Sequence, residues 1–291
     1  MTMKTMTTGI ALVASLALVG CNSSDSGSGG GGGSSSVSLK SPTFIITESN
    51  RDSVDSVAYS YAGNVDATDQ LDDTTSRALS LGEDQISRAL QPREIAARFN
   101  ESETEACFDS GSVTYSASGS GINENTGEMQ SSGSMKVSMD FNQCKSTYSF
   151  DDGLISISMS WSGYDGYNSF DTLSLNITFN DYTSKSYYGD GSLDTSESIH
   201  GYMDMSLAND ETSASLGLSI SSSEIDNKVI NIETTSPIKQ RGSDYPYTGT
   251  IVVTGGDNTT VTYTVVSNGV EVSLNGGQAE LITWSDMSYY Y

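Results

Sequence analysis

The chain has 291 residues, of which 13 are basic and 37 are acidic, giving a formal net charge of -24 at neutral pH. A charge of this sign repels nucleic acids and so excludes a basic nucleic-acid binder. Hydrophobic residues make up 35% of the chain, which is too few for a helical membrane protein but enough to build a folded core. We therefore expect an acidic, folded protein with no nucleic-acid partner.

The first twenty residues have the form of a signal peptide. Lys4 precedes an apolar run over residues 9–20, which is too short to span a bilayer as a helix. The run leads into Leu18-Val19-Gly20-Cys21, which resembles the lipobox of bacterial lipoproteins. That resemblance implies that Cys21 becomes the acylated N-terminus of the mature protein, held on a membrane by its acyl chains. The alternative is an ordinary secretory signal with an incidental cysteine.

The residue after the cysteine bears on localisation. Among Gram-negative lipoproteins an Asp at this position favours the inner membrane, whereas this chain has Asn22. The resemblance therefore implies a lipid-anchored protein of the bacterial cell envelope, attached to the outer membrane on its periplasmic side or at the cell surface.

Residues 21–42 are predicted to be the lipidated cysteine and a Gly/Ser-rich tether. Residues 23–36 contain no apolar side chain, and a flexible coil of that length has an end-to-end distance of roughly 20 Å. Residues 43–291 are predicted to form a single β-rich domain. Within it, the segment at about residues 75–99 is the most helix-like, and we expect one or two short amphipathic helices there.

From about residue 112 onward, apolar and polar residues alternate over stretches of about five to eight residues separated by turn signals such as Asp152-Gly153 and Asn268-Gly269. This pattern predicts about a dozen antiparallel strands in a meander, and therefore an all-β fold. The sheet would curl into a barrel, a half-barrel or a sandwich with its apolar face inward. A transmembrane β-barrel with that face outward is the less favoured alternative.

The alternation also assigns individual side chains to the two faces of the sheet. One predicted set points into a common enclosed space: Met139, Ile157, Leu175 and Met205. Their neighbours in sequence point the other way: Ser138, Ser158, Asn176 and Asp204. A shift of one residue in strand register would exchange the two sets.

Cys107 and Cys144 remain once Cys21 is assigned to the anchor. The export signal directs the chain to a compartment in which disulfides form, and two cysteines allow one pairing. Closing a loop of 37 residues would stabilise the fold by about 4 kcal/mol on the chain-entropy view. We therefore predict a structural disulfide bond.

Candidates for catalysis are few. His200 is the single histidine, so histidine-dependent triads and multi-histidine metal sites lack a partner; we expect it to be a polar residue at the edge of a strand. Asp140 and Asp204 lie mid-strand on the polar face, where two carboxylates could approach as in a glycosidase. Because the chain has 37 acids, such proximity is expected by chance. We predict a non-enzymatic protein with no cofactor and no metal.

Several methionines fall on the apolar strand faces, where packing alone would more often select Val, Ile or Leu. They are Met135, Met139, Met159, Met203 and Met205. Flexible thioethers suit a cavity for a lipid or another hydrophobic ligand, although they also suit an irregular core. The layout resembles that of periplasmic lipoprotein carriers, which have an incomplete barrel and a helical lid, and this resemblance implies a ligand on the enclosed apolar face.

Aromatic residues cluster around one predicted turn: Trp161, Tyr164, Tyr167 and Phe170. Rigid rings beside Asp, Asn and Ser can stack on a sugar or on a partner protein. The alternative function is therefore an adhesion or recognition module that binds a glycan or a protein. In the simpler interpretation the rings only hold the loops against the rim of the sheet.

Replacing the lipidated cysteine tests the anchor. The Cys21→Ser chain, exported behind a signal peptide of the unlipidated type, should leave the outer-membrane fraction and keep its fold, because a structureless tether separates anchor and body. Fractionation with alkaline extraction, and the mass of the N-terminal peptide, measure this. A Ser variant that still resists extraction from outer membranes contradicts the anchor.

Overall fold

The computed structural model of the protein describes residues 37–62, 101–123, 129–165, 170–242 and 245–287. This part of the chain begins with helix α1 (Arg51–Ala62) and ends with the short helix α2 (Trp284–Met287). Twelve strands lie between them: β1 (Glu101–Ala106), β2 (Ser110–Ile122), β3 (Met129–Lys145), β4 (Ser149–Ser162), β5 (Thr172–Tyr187), β6 (Leu193–Ala208), β7 (Glu211–Ser222), β8 (Val229–Arg241), β9 (Thr248–Thr254), β10 (Thr260–Val266), β11 (Gly269–Leu274) and β12 (Glu280–Thr283).

The twelve strands form one sheet in which every strand pairs antiparallel with its neighbours in sequence. The predicted all-β meander of about a dozen strands is thereby confirmed. Strands β1 and β12 are the two edges, and within the described chain they do not pair with each other. The sheet is therefore curled but not closed.

The strands from β2 to β7 are 12 to 17 residues long, which is longer than the alternating stretches predicted. Backbone pairing continues past the apolar alternation into Ser-, Thr- and Gly-rich sequence. In β6, for example, pairing begins at Leu193, well before Ile199, the first buried residue of the strand. Strand length was underestimated because the apolar pattern reports burial of side chains rather than pairing of the backbone.

Bulges interrupt the central ladders at neighbouring positions. Register shifts fall between Phe141 and Cys144 in β3, between Asp152 and Leu154 in β4, and between Phe179 and Tyr182 in β5. At the second of these shifts Gly153 has φ +102, and a Cβ there would lie 2.5 Å from the carbonyl oxygen of Asp181. Because a bulge bends its strand and increases the local twist, a row of bulges helps the sheet to curl.

The buried apolar side chains form one cluster with contributions from every strand between β2 and β11. Met139, Ile157 and Leu175 are buried in it, as predicted, whereas Met205 packs against it and stays partly exposed. The polar set lies on the opposite, outer face, where Asn176 donates a hydrogen bond of 2.6 Å to Asp204. The apolar face of the sheet is therefore its inner face.

The connections that follow odd-numbered strands all lie at one end of the sheet, which we call the helix end because α1 packs there. The Ser56 hydroxyl donates to Glu224, in the β7–β8 connection, at 3.1 Å, and Arg51 lies 3.5 Å from Glu280 at the start of β12. The other end is called the loop end. The buried residues of α1 are Val54, Val57 and Ala58.

Helix α1 is the single short N-terminal helix of the described chain, and its position was not predicted. The spacing of Val54, Val57 and Ala58 gives it one apolar stripe. The segment at about 75–99 predicted to be helical and the predicted signal peptide both lie outside the described residues.

The segment before α1 crosses the outer face. The backbone N–H of Lys40 donates to Ser219 Oγ at 2.7 Å, and Asn231 Nδ2 donates to the carbonyl oxygen of Lys40 at 2.9 Å. The chain then passes Val229 at the helix end and enters the inner face as α1. Lys40, within the predicted tether of residues 21–42, therefore lies against the outer face.

The predicted disulfide bond between Cys107 and Cys144 is present, with a Cα–Cα distance of 5.4 Å. It joins the β1–β2 connection to the end of β3 at the helix end. The edge strand β1 is therefore tied covalently to the second strand inward.

Burial along β3 and β6 predicts graded losses of stability. Met139→Ala should lower the free energy of unfolding by about 2–5 kcal/mol, because a fully buried side chain leaves a cavity. Met205→Ala should cost less, below about 2 kcal/mol, because Met205 is partly exposed. Asp140→Ala, at an exposed position next to Met139, is the control and should stay within about 0.5 kcal/mol of wild type. Urea unfolding measures all three, and equal losses in both methionine variants would contradict the assignment.

Candidate ligand-binding surface

Ten apolar side chains pack against the buried cluster while remaining partly exposed. Nine of them lie in the half of the sheet toward the loop end, and we call these the loop-end apolar surface: Ile122, Met129, Tyr164, Met203, Met205, Leu207, Val265, Ile282 and Trp284. The tenth, Leu274, ends β11 at the helix end. The partly exposed residues that pack against the core are therefore concentrated toward the loop end.

Within the described residues, different elements lie at the two ends. At the helix end α1 and the one-turn helix Ser223–Ile225 lie over the inner face, and Ile225 is fully buried. At the loop end the β6–β7 connection is the two-residue turn Asn209-Asp210, in which both residues have positive φ. Such a tight turn covers little of the face beneath it.

The structure separates the five predicted methionines into two groups. Met135, Met139 and Met159 are buried and fill the core. Met203 and Met205 belong to the loop-end apolar surface. Met205 is paired with Leu175 on β5 and with Ala214, which has a small side chain, on β7.

Met129, at the start of β3, also belongs to the surface but was not among the predicted residues. It is paired with Ile122 across a register shift at the end of β2. The regular alternation breaks at that shift, so no periodic signal marked Met129.

Two stacked pairs of aromatic rings flank the loop-end apolar surface. Tyr164 stacks on Phe170 with ring centroids 5.0 Å apart, and Tyr245 stacks on Trp284 at 4.9 Å with an interplanar angle of 1°. The Tyr245–Trp284 pair joins the β8–β9 connection to the start of α2. No spacing in the sequence relates these two residues, so only the fold could show their contact.

The aromatic residues predicted for recognition lie mostly inside the protein. Trp161 is buried, and its Nε1 donates to the carbonyl oxygen of Gln130 at 2.9 Å. Phe170 is buried beneath Tyr164, which is partly exposed, and Tyr167 lies outside the described residues. Trp161 and Phe170 therefore offer no free ring face for stacking on a sugar.

A cluster around Glu211 holds the β8–β9 connection in place. Lys239 Nζ lies 2.8 Å and Arg241 3.4 Å from the carboxylate, and the Tyr247 hydroxyl donates to it. The hydrogen bonds from Lys239 and Tyr247 lower the pKa of Glu211 to about 2. The carboxylate is therefore ionised throughout the physiological range, and it ties down the connection that carries Tyr245.

His200 lies in the interior of the sheet, not at a strand edge as predicted. It is in the middle of β6, paired with Ser219 on β7, and its Nδ1 is 3.3 Å from the backbone nitrogen of Asp181. Lys40 Nζ is 2.6 Å from Asp181 Oδ1 and holds the pKa of that carboxyl below its ordinary value. These contacts attach the N-terminal segment to the outer face.

The two carboxylates considered for glycosidase chemistry are far apart. Asp140 is on β3 and Asp204 is on β6, with β4 and β5 between them. Three strand spacings of about 4.8 Å put them roughly 14 Å apart or more. The carboxyl pairs of glycosidases are separated by about 5–9.5 Å, so this pair does not match either geometry.

A buried carboxylate lies on the inner face near the helix end. Asp151 is 2% exposed, and its Oδ1 accepts hydrogen bonds from Tyr182 at 2.8 Å and from Ser184 at 2.9 Å. Burial raises the pKa of Asp151 to about 6, and the two hydroxyls offset only part of that rise. No charged group contributes to the shift.

In comparisons with known proteins, no family model matches the chain, and neither a curated protein nor a solved structure is significantly similar to it. Within the described residues, no three His, Cys, Asp or Glu side chains are grouped so as to hold a metal ion. No helix in that part of the chain has the length and apolar character needed to cross a membrane.

The pKa of Asp151 predicts a pH-dependent stability. Since the folded pKa of about 6 exceeds the ordinary value of 3.8, the folded state binds the extra proton, and the stabilisation is present below about pH 4 and lost as pH rises through 6. Asp151→Asn keeps an oxygen acceptor for Tyr182 and Ser184 but cannot titrate. The free energy of unfolding of wild type should therefore fall relative to that of the variant by about 2 kcal/mol between pH 4 and 7. Parallel pH profiles in urea unfolding would refute this.

Proposed function

We propose that this chain is a non-enzymatic bacterial lipoprotein, anchored to the outer membrane through Cys21, that receives a hydrophobic ligand at the loop-end apolar surface. The observation that carries the proposal is the uneven exposure of the apolar residues that pack against the core: nine of the ten that remain partly exposed lie toward the loop end. Apolar area left in contact with water at one place is typical of a binding surface.

The chemistry of the surface defines the class of ligand. Seven of its nine residues have purely hydrocarbon or thioether side chains, and the polar atoms are the Tyr164 hydroxyl and the Trp284 indole nitrogen. Such a surface offers apolar contact with few directional hydrogen bonds, which suits acyl chains better than sugars. The methionine thioethers can adjust to chains of different length and curvature.

The surface is also continuous with the core. Met203 lies beside Ile177 and Leu216, both buried, and Met205 lies beside Leu175. An acyl chain that displaces water here would therefore extend an existing apolar cluster rather than create an isolated contact, and each buried methylene contributes about 0.8 kcal/mol.

Recognition of a glycan or protein through the predicted aromatic turn is the weaker proposal. It required ring faces that solvent can reach, but Trp161 and Phe170 are buried. The exposed Tyr245 is already stacked on Trp284, so one of its faces is occupied.

Binding of a dansyl-labelled fatty acid tests the ligand surface. The protein is the Cys21→Ser chain exported behind a signal peptide of the unlipidated type, and native mass spectrometry of the same material should show a co-purifying lipid mass. Met205→Asp should weaken binding of the probe at least fivefold, because it places a charge on the apolar surface, where it would have to be desolvated.

Asp204→Asn is the matched control, since Asp204 is the adjacent residue on the outer face; it should bind the probe as wild type does. Circular dichroism must show that both variants are folded. Equal affinities in folded Met205→Asp and wild type, or the absence of binding in both, would overturn the proposal.

A further inference from the structure

Three neighbouring connections at the helix end each present an aromatic side chain to solvent. Phe108 in the β1–β2 connection is 82% exposed, Tyr148 in the β3–β4 connection 60%, and Tyr188 in the β5–β6 connection 56%. None of these rings packs in the core. Ile45 and Leu193, at the same end, are also exposed.

The three connections are held in a fixed row. The backbone N–H of Asp109 donates to the carbonyl oxygen of Lys145 at 2.9 Å, and that of Tyr187 donates to the carbonyl oxygen of Tyr148 at 2.9 Å. The Cys107–Cys144 disulfide bond ties the first connection to β3. With strands about 4.8 Å apart, successive tips are about 10 Å apart, so the row is roughly 20 Å long.

The exposed row costs free energy in water unless something covers it. Large exposed hydrophobic side chains in the described residues number eight, and five of them are at the helix end. Scattered exposure is ordinary, but a rigid row at one end indicates a contact surface.

The place where Lys40 lies on the body brings the N-terminal segment near the row. Lys40 lies on Ser219, three residues from the helix end of β7, or about 10 Å. The composition of the sixteen residues from Cys21 to Ser36 predicts a flexible coil, for which the end-to-end distance would be about 20–24 Å. An acylated Cys21 therefore keeps the bilayer within reach of the helix end.

We propose that Phe108, Tyr148 and Tyr188 contact the headgroup region of the membrane that holds the anchor, so that the helix end faces the bilayer and the loop-end apolar surface faces away from it. This inference rests on the anchor of the proposed function. Aromatic rings are favoured at the membrane interface. Weak contact suffices, because a short tether gives an effective concentration in the millimolar range.

The charges near the row specify the kind of surface. Asp109, Asp190 and Asp194 lie in or next to these connections and outnumber the two lysines there, Lys145 at the end of β3 and Lys185 near the end of β5. An anionic leaflet would repel these carboxylates. The surface is therefore a zwitterionic one, and phosphatidylcholine vesicles are the appropriate probe.

Hydrogen exchange measured by mass spectrometry tests the orientation. The acylated mature chain on phosphatidylcholine vesicles is compared with the Cys21→Ser mature chain free in solution. Peptides covering residues 107–109, 146–148 and 188–192 should exchange at least threefold more slowly on vesicles. Peptides covering the loop-end turns at 209–210 and 267–268 should exchange at the same rate in both samples.

The triple variant Phe108→Ser, Tyr148→Ser, Tyr188→Ser should lose the vesicle-dependent slowing while remaining anchored, because it keeps Cys21. Tyr245→Ser removes an equally exposed aromatic ring at the loop end and should leave the slowing intact. Thermal melting of both variants checks the fold.

Equal exchange at the three connections with and without vesicles overturns the proposal, and so does slowing confined to the loop end. Slowing in the free Cys21→Ser chain that grows with protein concentration would show a contact between copies instead, and would also overturn it. Hydrogen exchange is measured only on protein that floats with the vesicles and whose mass includes the acyl chains. Failure of the lipid anchor is therefore detected before the exchange measurement begins. Binding of the fatty-acid probe is scored separately.

Discussion

The structure depends on removing one apolar sheet face from water. Ten strands contribute buried side chains to a single cluster, and no second sheet in the described chain covers them. The sheet must therefore curl over its own face, and the bulges that interrupt β3, β4 and β5 at neighbouring positions supply bending. Curling alone does not cover the apolar face at the helix end. There α1 packs its buried stripe against the cluster.

An open sheet of this kind has two edges that could pair with another chain. The register of β1 places Glu103 opposite Tyr115 and Glu105 opposite Val113, so these glutamates belong to the inner row of the edge strand. Charges that point inward from an edge strand oppose the addition of a further strand. The other edge strand, β12, has only four residues, so it offers few backbone groups with which a strand of another chain could pair. Both edges therefore limit aggregation without closing the sheet.

The fold class and the facing of side chains could be predicted because alternation is a local property of each strand. Helix α1 could not, because its two valines favour a strand in isolation and become helical only where the inner face accepts their stripe. For the candidate surface, the sequence predicted which methionines lie on the apolar face but not which of them stay partly exposed. Met139 stands in Ser-Met-Asp and Met205 in Asp-Met-Ser, so composition does not distinguish them, yet one is fully buried and the other partly exposed. Their difference is not set by distance to the loop end, since Met159 lies as near that end as Met205 and is buried; it depends on what packs over each strand in the folded sheet.

In an antiparallel meander, successive connections lie alternately at the two ends of the sheet. The two ends of this molecule are therefore built from different parts of the chain. The connections after odd-numbered strands share an end with α1, the disulfide bond and the start of the body, while those after even-numbered strands frame the accessible apolar side chains. If the aromatic row lies on the membrane, a ligand reaching Met203 and Met205 approaches from the aqueous side and not from the bilayer beneath. The direction of access, more than the size of the apolar surface, would set which ligands it meets.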